Sequence, residues 1–142
     1  MCRDGHPFNP PHLIPLVEVV GGRLTSEHAV QKALAFYESI GKKPIRIRRE
    51  VQGHVANRLQ AALWREAFYL VQRGIASVED VDTAIAHGPG LRWALLGPFL
   101  NRHLSGGAGG IAHVLEPGRV AGRRDQLLLA LLQLKAGGDR LP

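Results

Sequence analysis

Cysteine occurs once in the 142 residues, at Cys2, so no internal disulfide framework holds this chain together. Long apolar runs are also missing. The longest lies near 127–134 and is broken by Gln133, far short of the ~20 apolar residues of a membrane span. The N-terminus, Met-Cys-Arg-Asp-Gly-His-Pro, carries no apolar stretch of the kind that opens a secretory signal. One unpaired cysteine and no such signal predict a reducing, cytoplasmic setting and no membrane partner. A glycine-rich dinucleotide turn, Gly-x-Gly-x-x-Gly, occurs nowhere in these residues.

What remains is a globular composition. Hydrophobic residues reach 45% and charged residues 21%. A chain of this length buries about two-thirds of its unfolded surface, enough for a core of its own. It is too short to hold a complete dinucleotide-binding domain and a separate substrate domain. Eighteen Lys and Arg against twelve Asp and Glu give a net charge of +6. The excess is scattered except at Lys42, Lys43, Arg46, Arg48 and Arg49, and no nucleic-acid signature surrounds that cluster. An anionic cofactor or substrate accounts for the balance better than nucleic acid does.

The chain opens with an extended segment, because Pro7, Pro10, Pro11 and Pro15 forbid a helix interior. Leu16 to Val20 reads as a short strand closed by Gly21-Gly22, and it carries one carboxylate, Glu18. A carboxylate among valines is costly to bury without a partner. Ser26 or Thr25 caps a helix whose apolar residues Val30, Ala33, Leu34, Tyr37 and Ile40 share a face, and Gly41 stops it. Lys43 to Arg49 alternates with a period of two and reads as a half-exposed strand. Strand, helix, strand is the order of a closing piece of an α/β sheet.

After Gly53 the pattern turns helical. Val55, Leu59, Leu63, Ala67 and Leu70 stand four, four, four and three residues apart, on one helix face ended by Gly74. Ser77-Val-Glu-Asp predicts a capping box with Asp80, opening a helix that ends at His87-Gly88. Gly88-Pro89-Gly90 reads as a turn, 92–96 as a short helical turn, and Pro98 as the start of another helix. Ser105 to Gly110 reads as a flexible connection, since no strand precedes it and no Gly-Lys-Ser/Thr ends it. The leucines between Arg123 and Lys135 cover nearly all sides of a last predicted helix, which needs burial or a partner.

His6 and Glu18 are the first candidate site pair. If the chain doubles back across this twelve-residue spacing, the carboxylate fixes one imidazole nitrogen and the other becomes a base. Seven histidines make accidental pairs common, so spacing alone favours an unrelated surface histidine and strand-edge glutamate.

The wording around the pair adds to it. His6-Pro7-Phe8-Asn9-Pro10-Pro11 and Pro15-Leu16-Val17-Glu18-Val19-Val20 are followed by Gly53-His54-Val55-Ala56-Asn57-Arg58-Leu59, Glu66-Ala67, Gly74, Asp80-Val81-Asp82 and Gly97-Pro98-Phe99. This ordered series over residues 5–116 resembles the 3-hydroxyacyl-CoA dehydrogenase superfamily. His-Pro in the first motif, and Gly-Pro-Gly-Leu-Arg-Trp before Gly-Pro-Phe, look most like the branch that includes L-carnitine and L-gulonate dehydrogenases (lambda-crystallin).

The resemblance implies a mainly α fold: a helical C-terminal domain preceded by a strand-and-helix remnant of a Rossmann domain. It implies the end of the nucleotide-binding domain over 1–51, a helical substrate and dimerisation domain over 52–117, and a divergent tail over 118–142. By resemblance His6 is the general base for a 3-hydroxyl, Glu18 orients it, and Asn57 contacts the reacting oxygen. NAD is the implied hydride acceptor, a small 3-hydroxy acid or acyl-CoA the substrate, and a second copy of the chain the partner. The family's glycine-rich turn, its ribose-binding acidic residue and its catalytic serine have no counterpart here, so the expectation is a chain lacking the NAD-binding half and inactive alone. A non-catalytic helical dimerisation module is the alternative. Arg92 is a candidate for a substrate carboxylate, by a two-pronged bond. Trp93, with Trp64 or Phe68, is a candidate for a quaternary ammonium group. For Trp64 and Phe68 a place in the core is the expectation.

Overall fold

The computed structural model describes residues 4–114. The predicted helix over 123–135 and Cys2 lie outside the described residues. The elements run β1 (Asp4–Pro7), β2 (Leu16–Val20), α1 (Glu27–Ser39), β3 (Lys43–Ile47), α2 (Ala56–Gln72), α3 (Val78–His87), α4 (Pro89–Leu95), α5 (Pro98–Leu104), a 3₁₀ turn (Gly107–Gly109) and α6 (Gly110–Val114). Helix dominates, with one small sheet, and the described residues fall in two compact units that divide between Arg73 and Gly74. The helix α2 therefore groups with the strands.

The sheet has three strands in the order β1-β2-β3. The strand β2 is antiparallel to β1 and parallel to β3. Alternation along β2 sends Val17 and Val19 to one face and Glu18 to the other. Val17 and Val19 are buried under Val30 of α1, with Ala33, Leu34 and Tyr37 packed around them. Gly5 sits on that same face, opposite Val19, and its lack of a side chain is what lets Tyr37 close over β1: a Cβ there would meet the Tyr37 hydroxyl at 2.2 Å.

Local chemistry explains the element ends. Ser26 accepts from the Ala29 amide and starts α1, and Gly41, at φ +78°, ends the turn after it. Arg46 on β3 forms a two-pronged bond to the Glu27 carboxylate at 2.5 and 2.7 Å, tying the start of α1 to the sheet. A side-chain hydrogen bond from Gln31, then that guanidinium, hold the Glu27 carboxyl below its usual range. Lys42 reaches back to the carbonyls of Pro11 and Ile14. Two of the five clustered basic residues are thus engaged in holding the fold. Ser77 and Asp80 make the reciprocal capping box of α3.

Three expectations change. The proline-rich opening predicts His6 just outside the sheet; it stands instead inside a strand, with Pro7 as that strand's last residue. Gly5 and Pro7 both argue against a strand locally, and pairing with β2 overrides them. Gly88-Pro89-Gly90 is no free turn: Pro89 is the first residue of α4, where its missing N–H costs nothing. The glycine segment after Ser105 is regular structure, the 3₁₀ turn and α6. Gly106 is buried there, and a Cβ on it would meet the Gly110 carbonyl oxygen at 1.8 Å, so glycine at this position serves close packing. Among the described residues no helix is long and apolar enough to cross a membrane.

Candidate functional site

The register of the β1–β2 ladder sets His6 directly opposite Glu18. Directly opposed residues of an antiparallel pair share a face with Cβ atoms about 4.5–5.5 Å apart. That face is the one α1 leaves free. Glu18 is fully buried, with a relative exposure of 0%. Its carboxylate has found partners 37 and 38 residues away: Oε1 accepts from the backbone amides of Val55 at 2.8 Å and Ala56 at 3.1 Å.

Those amides are the start of α2. Its N-cap residue is Val55, whose side chain has no oxygen to accept from the free first-turn amides. Glu18 supplies the cap from the sheet, and the positive end of the helix dipole offsets part of the cost of burying the charge. The other oxygen, Oε2, is buried and accepts no hydrogen bond. The expectation is a hydrogen bond or a single water between Glu18 and His6; no direct bond is found, and the two residues do share the face.

The His6 ring has a different neighbour. It lies flat against the ring of His54, centroids 4.8 Å apart and planes 5° from parallel. His54 stands between Gly53 and the start of α2 with φ +51°, the one non-glycine residue with positive φ among those described. His6 itself is half-buried, on the same face as the buried Glu18 carboxylate.

Asn57 is the second residue of α2, one position past the amides that Glu18 holds, and it is exposed. Arg92 and Trp93 belong to the other compact unit, on α4. There they line a concavity of about 350 Å³ together with Phe99, Asn101 and Arg102. Trp64 and Phe68 are not core residues: they are 52% and 66% exposed on α2. The residue that sequence reasoning missed is His54. Its one local signal is Gly53 at a strand-to-helix passage, and the ring contact itself comes from the sheet register. Among the described residues no cluster of His, Cys, Asp or Glu is placed to hold a metal ion.

Comparison with known proteins gives a consistent picture. Residues 2–51 match the family model of the 3-hydroxyacyl-CoA dehydrogenase NAD binding domain, and residues 53–138 match that of the 3-hydroxyacyl-CoA dehydrogenase C-terminal domain. Part of an NAD binding domain is thus present in the chain, and the second match runs through the segment that reads as a divergent tail. An L-carnitine dehydrogenase of Streptomyces coelicolor is 59% identical over 112 residues, 79% of this chain and 35% of that protein. A 3-hydroxyacyl-CoA dehydrogenase of Gibberella moniliformis is 60% identical over 105 residues, 74% of this chain and 33% of its own length. The chain therefore spans about a third of the curated relatives it matches. Among solved structures, an NAD+ dependent dismutase, the 5-dehydrogenase of 5-formyl-3-hydroxy-2-methylpyridine 4-carboxylic acid, superposes with a TM-score of 0.70 at 30% identity, covering 97% of this chain and 40% of that one. The (S)-3-hydroxybutyryl-CoA dehydrogenase of Ralstonia eutropha gives 0.54 at 25% identity, over 89% of this chain and 46% of that one.

Proposed function

The chain belongs to the 3-hydroxyacyl-CoA dehydrogenase family, and from that premise we propose that it is the substrate-side portion of an NAD-dependent dehydrogenase that oxidises a 3-hydroxyl to a 3-keto group. The observation that carries the reading is the ladder pairing of His6 with a fully buried Glu18 on the open face of the sheet. His6 takes the hydroxyl proton at the open edge of its ring. Glu18 answers the imidazolium charge and holds the start of α2, which carries Asn57. Asn57 then offers its amide to the oxygen as the carbonyl forms. NAD, when bound, accepts the hydride. No glycine-rich turn in these residues offers a pyrophosphate cradle, so the chain by itself is expected to hold NAD weakly and to turn over no substrate.

The domain reading follows: 1–51 as the end of the nucleotide-binding domain, 52–117 as the helical substrate and dimerisation domain, 118–142 as a tail. Cytoplasmic residence follows from the lone cysteine and from the chemistry. L-carnitine dehydrogenase relatives favour a small 3-hydroxy acid over an acyl-CoA thioester. Arg92 as carboxylate clamp and Trp93 as a face for a quaternary ammonium fit that substrate. A second copy of the chain is the proposed partner, because Leu91, Leu95, Phe99 and Leu104 all stand exposed on α4 and α5.

The test joins this chain behind the nucleotide-binding portion of a carnitine dehydrogenase relative. NADH formation with L-carnitine, and with a 3-hydroxyacyl-CoA in parallel, reads both activity and substrate class. No NADH with either substrate, from a folded fusion that binds NAD, would refute the reading.

A further inference from the structure

Glu18 is expected by resemblance to hold the base, yet its bonded oxygen is spent on the Val55 and Ala56 amides and its other oxygen is unpartnered. The His6 ring also rests against a second ring. The only ring against it among the described residues is that of His54, 4.8 Å away and 5° from parallel.

His54 is held on both sides. Before it, Gly53 stands at φ +80°; after it, the two amides are bonded to a carboxylate that is itself fully buried. Its own φ of +51° is a conformation that residues with a Cβ adopt rarely and keep only where their surroundings enforce it. Glu18 bonds the two amides that follow His54, while the His54 ring lies on that of His6 in β1. One carboxylate thereby reaches His6 through a helix start and a second imidazole.

We infer that His54 is a positioning residue for His6, its ring face setting the plane in which His6 presents its nitrogen, with Glu18 locking His54 through the amides of Val55 and Ala56. The inference rests on the reading of His6 as the base. It assigns the ring face of His54, not its nitrogens, as the working part. Rotation of His6 about its side-chain bonds would break the stack, so the stack limits the ring to few orientations. Loss of the stack leaves the base present but misaimed, which lowers the rate of proton transfer and leaves substrate binding unchanged.

Two readouts test this. The first needs no activity: in this chain, ring-current effects place the His6 ring-proton resonances upfield, and they move downfield in His54→Ala but stay upfield in His54→Phe. Resonances unmoved by His54→Ala would overturn the stack. The second uses the fusion enzyme. His54→Ala should lower kcat by about 10–100-fold with KM unchanged, and His54→Phe, which keeps a flat face, should restore most of it. Full turnover in His54→Ala would overturn the inference. So would a His54→Phe enzyme as poor as His54→Ala, because a nitrogen would then be the working part. Full turnover in His6→Ala would remove the base reading and this inference with it, while the resonance arm would still report the stack by itself.

Discussion

The strand-bearing unit and the helical unit after Gly74 use similar amounts of apolar sequence to very different effect. In the first, Val17, Val19 and Val30 are buried and one helix closes a dry layer over the sheet. In the second, only Gly106 and Gly110 are buried among the described residues, and Leu95 is 86% exposed. What a helix lies on accounts for the contrast more than length alone, since the seventeen-residue α2 of the first unit has no buried residue. A thirteen-residue helix over three paired strands covers a continuous face, whereas α4, α5 and α6 have seven, seven and five residues. Such short helices present their apolar sides outward and need a further surface to cover them. The proposed base and its carboxylate lie on the strand side, where ladder register sets His6 opposite Glu18.

That contrast can be broken from either side. The largest effect is expected at Val19→Asp, which puts an unpaired charge in the dry layer and should cost about 3–5 kcal/mol, enough to unfold the sheet unit in a thermal or urea scan. Ser77→Ala removes the side-chain half of the α3 capping box, the bonds of Ser77 Oγ to the Asp80 amide and carboxylate, and should cost about 1 kcal/mol, read as lost helicity by circular dichroism. Leu95→Ser, on the open side of α4, should change monomer stability by less than about 0.5 kcal/mol. The same variant should weaken self-association in light scattering; unchanged self-association would separate α4 from the proposed dimer face.

The smallest effect concerns pH. The Glu27 carboxyl is held below its usual value of 4.5 by Gln31 and Arg46. The folded state therefore binds this proton less readily than the unfolded one, so the stabilisation is present above the usual value. It fades as pH falls through the lower folded value. The pair is exposed, so the effect is small and weakens with salt. A melting temperature whose acid dependence is the same in wild type and in Gln31→Ala/Arg46→Gln would contradict this.

Legibility followed the same divide. The strand Leu16–Val20, a cap at Ser26 or Thr25 (Ser26 in the structure), the strand read over 43–49 (Lys43–Ile47 in the structure) and the Ser77–Asp80 box were readable because each rests on residues within a few positions of one another. The strand β1 was not, because Gly5 and Pro7 weaken it locally and only pairing with β2 makes it. Glu18 stood out as a carboxylate among valines, but its partners were hidden, since backbone amides 37 and 38 residues away leave no mark on sequence spacing. The ring contact of His54 with His6, 48 positions away, was hidden for the same reason. The face of α2 read from its four-residue spacing was correct as a helix, yet Val55 and Leu59 on it remain exposed in this chain. Periodicity shows which side is apolar and is mute on what covers it.

The central claim is that His6 is a base set against a buried carboxylate. The most direct measurement is the turnover of His6→Ala in the chain joined to a relative's nucleotide-binding portion, with NAD binding and folding checked first. The account predicts a fall in kcat of about 10²–10⁴-fold with NAD affinity unchanged. A kcat equal to that of the unmodified fusion would contradict it.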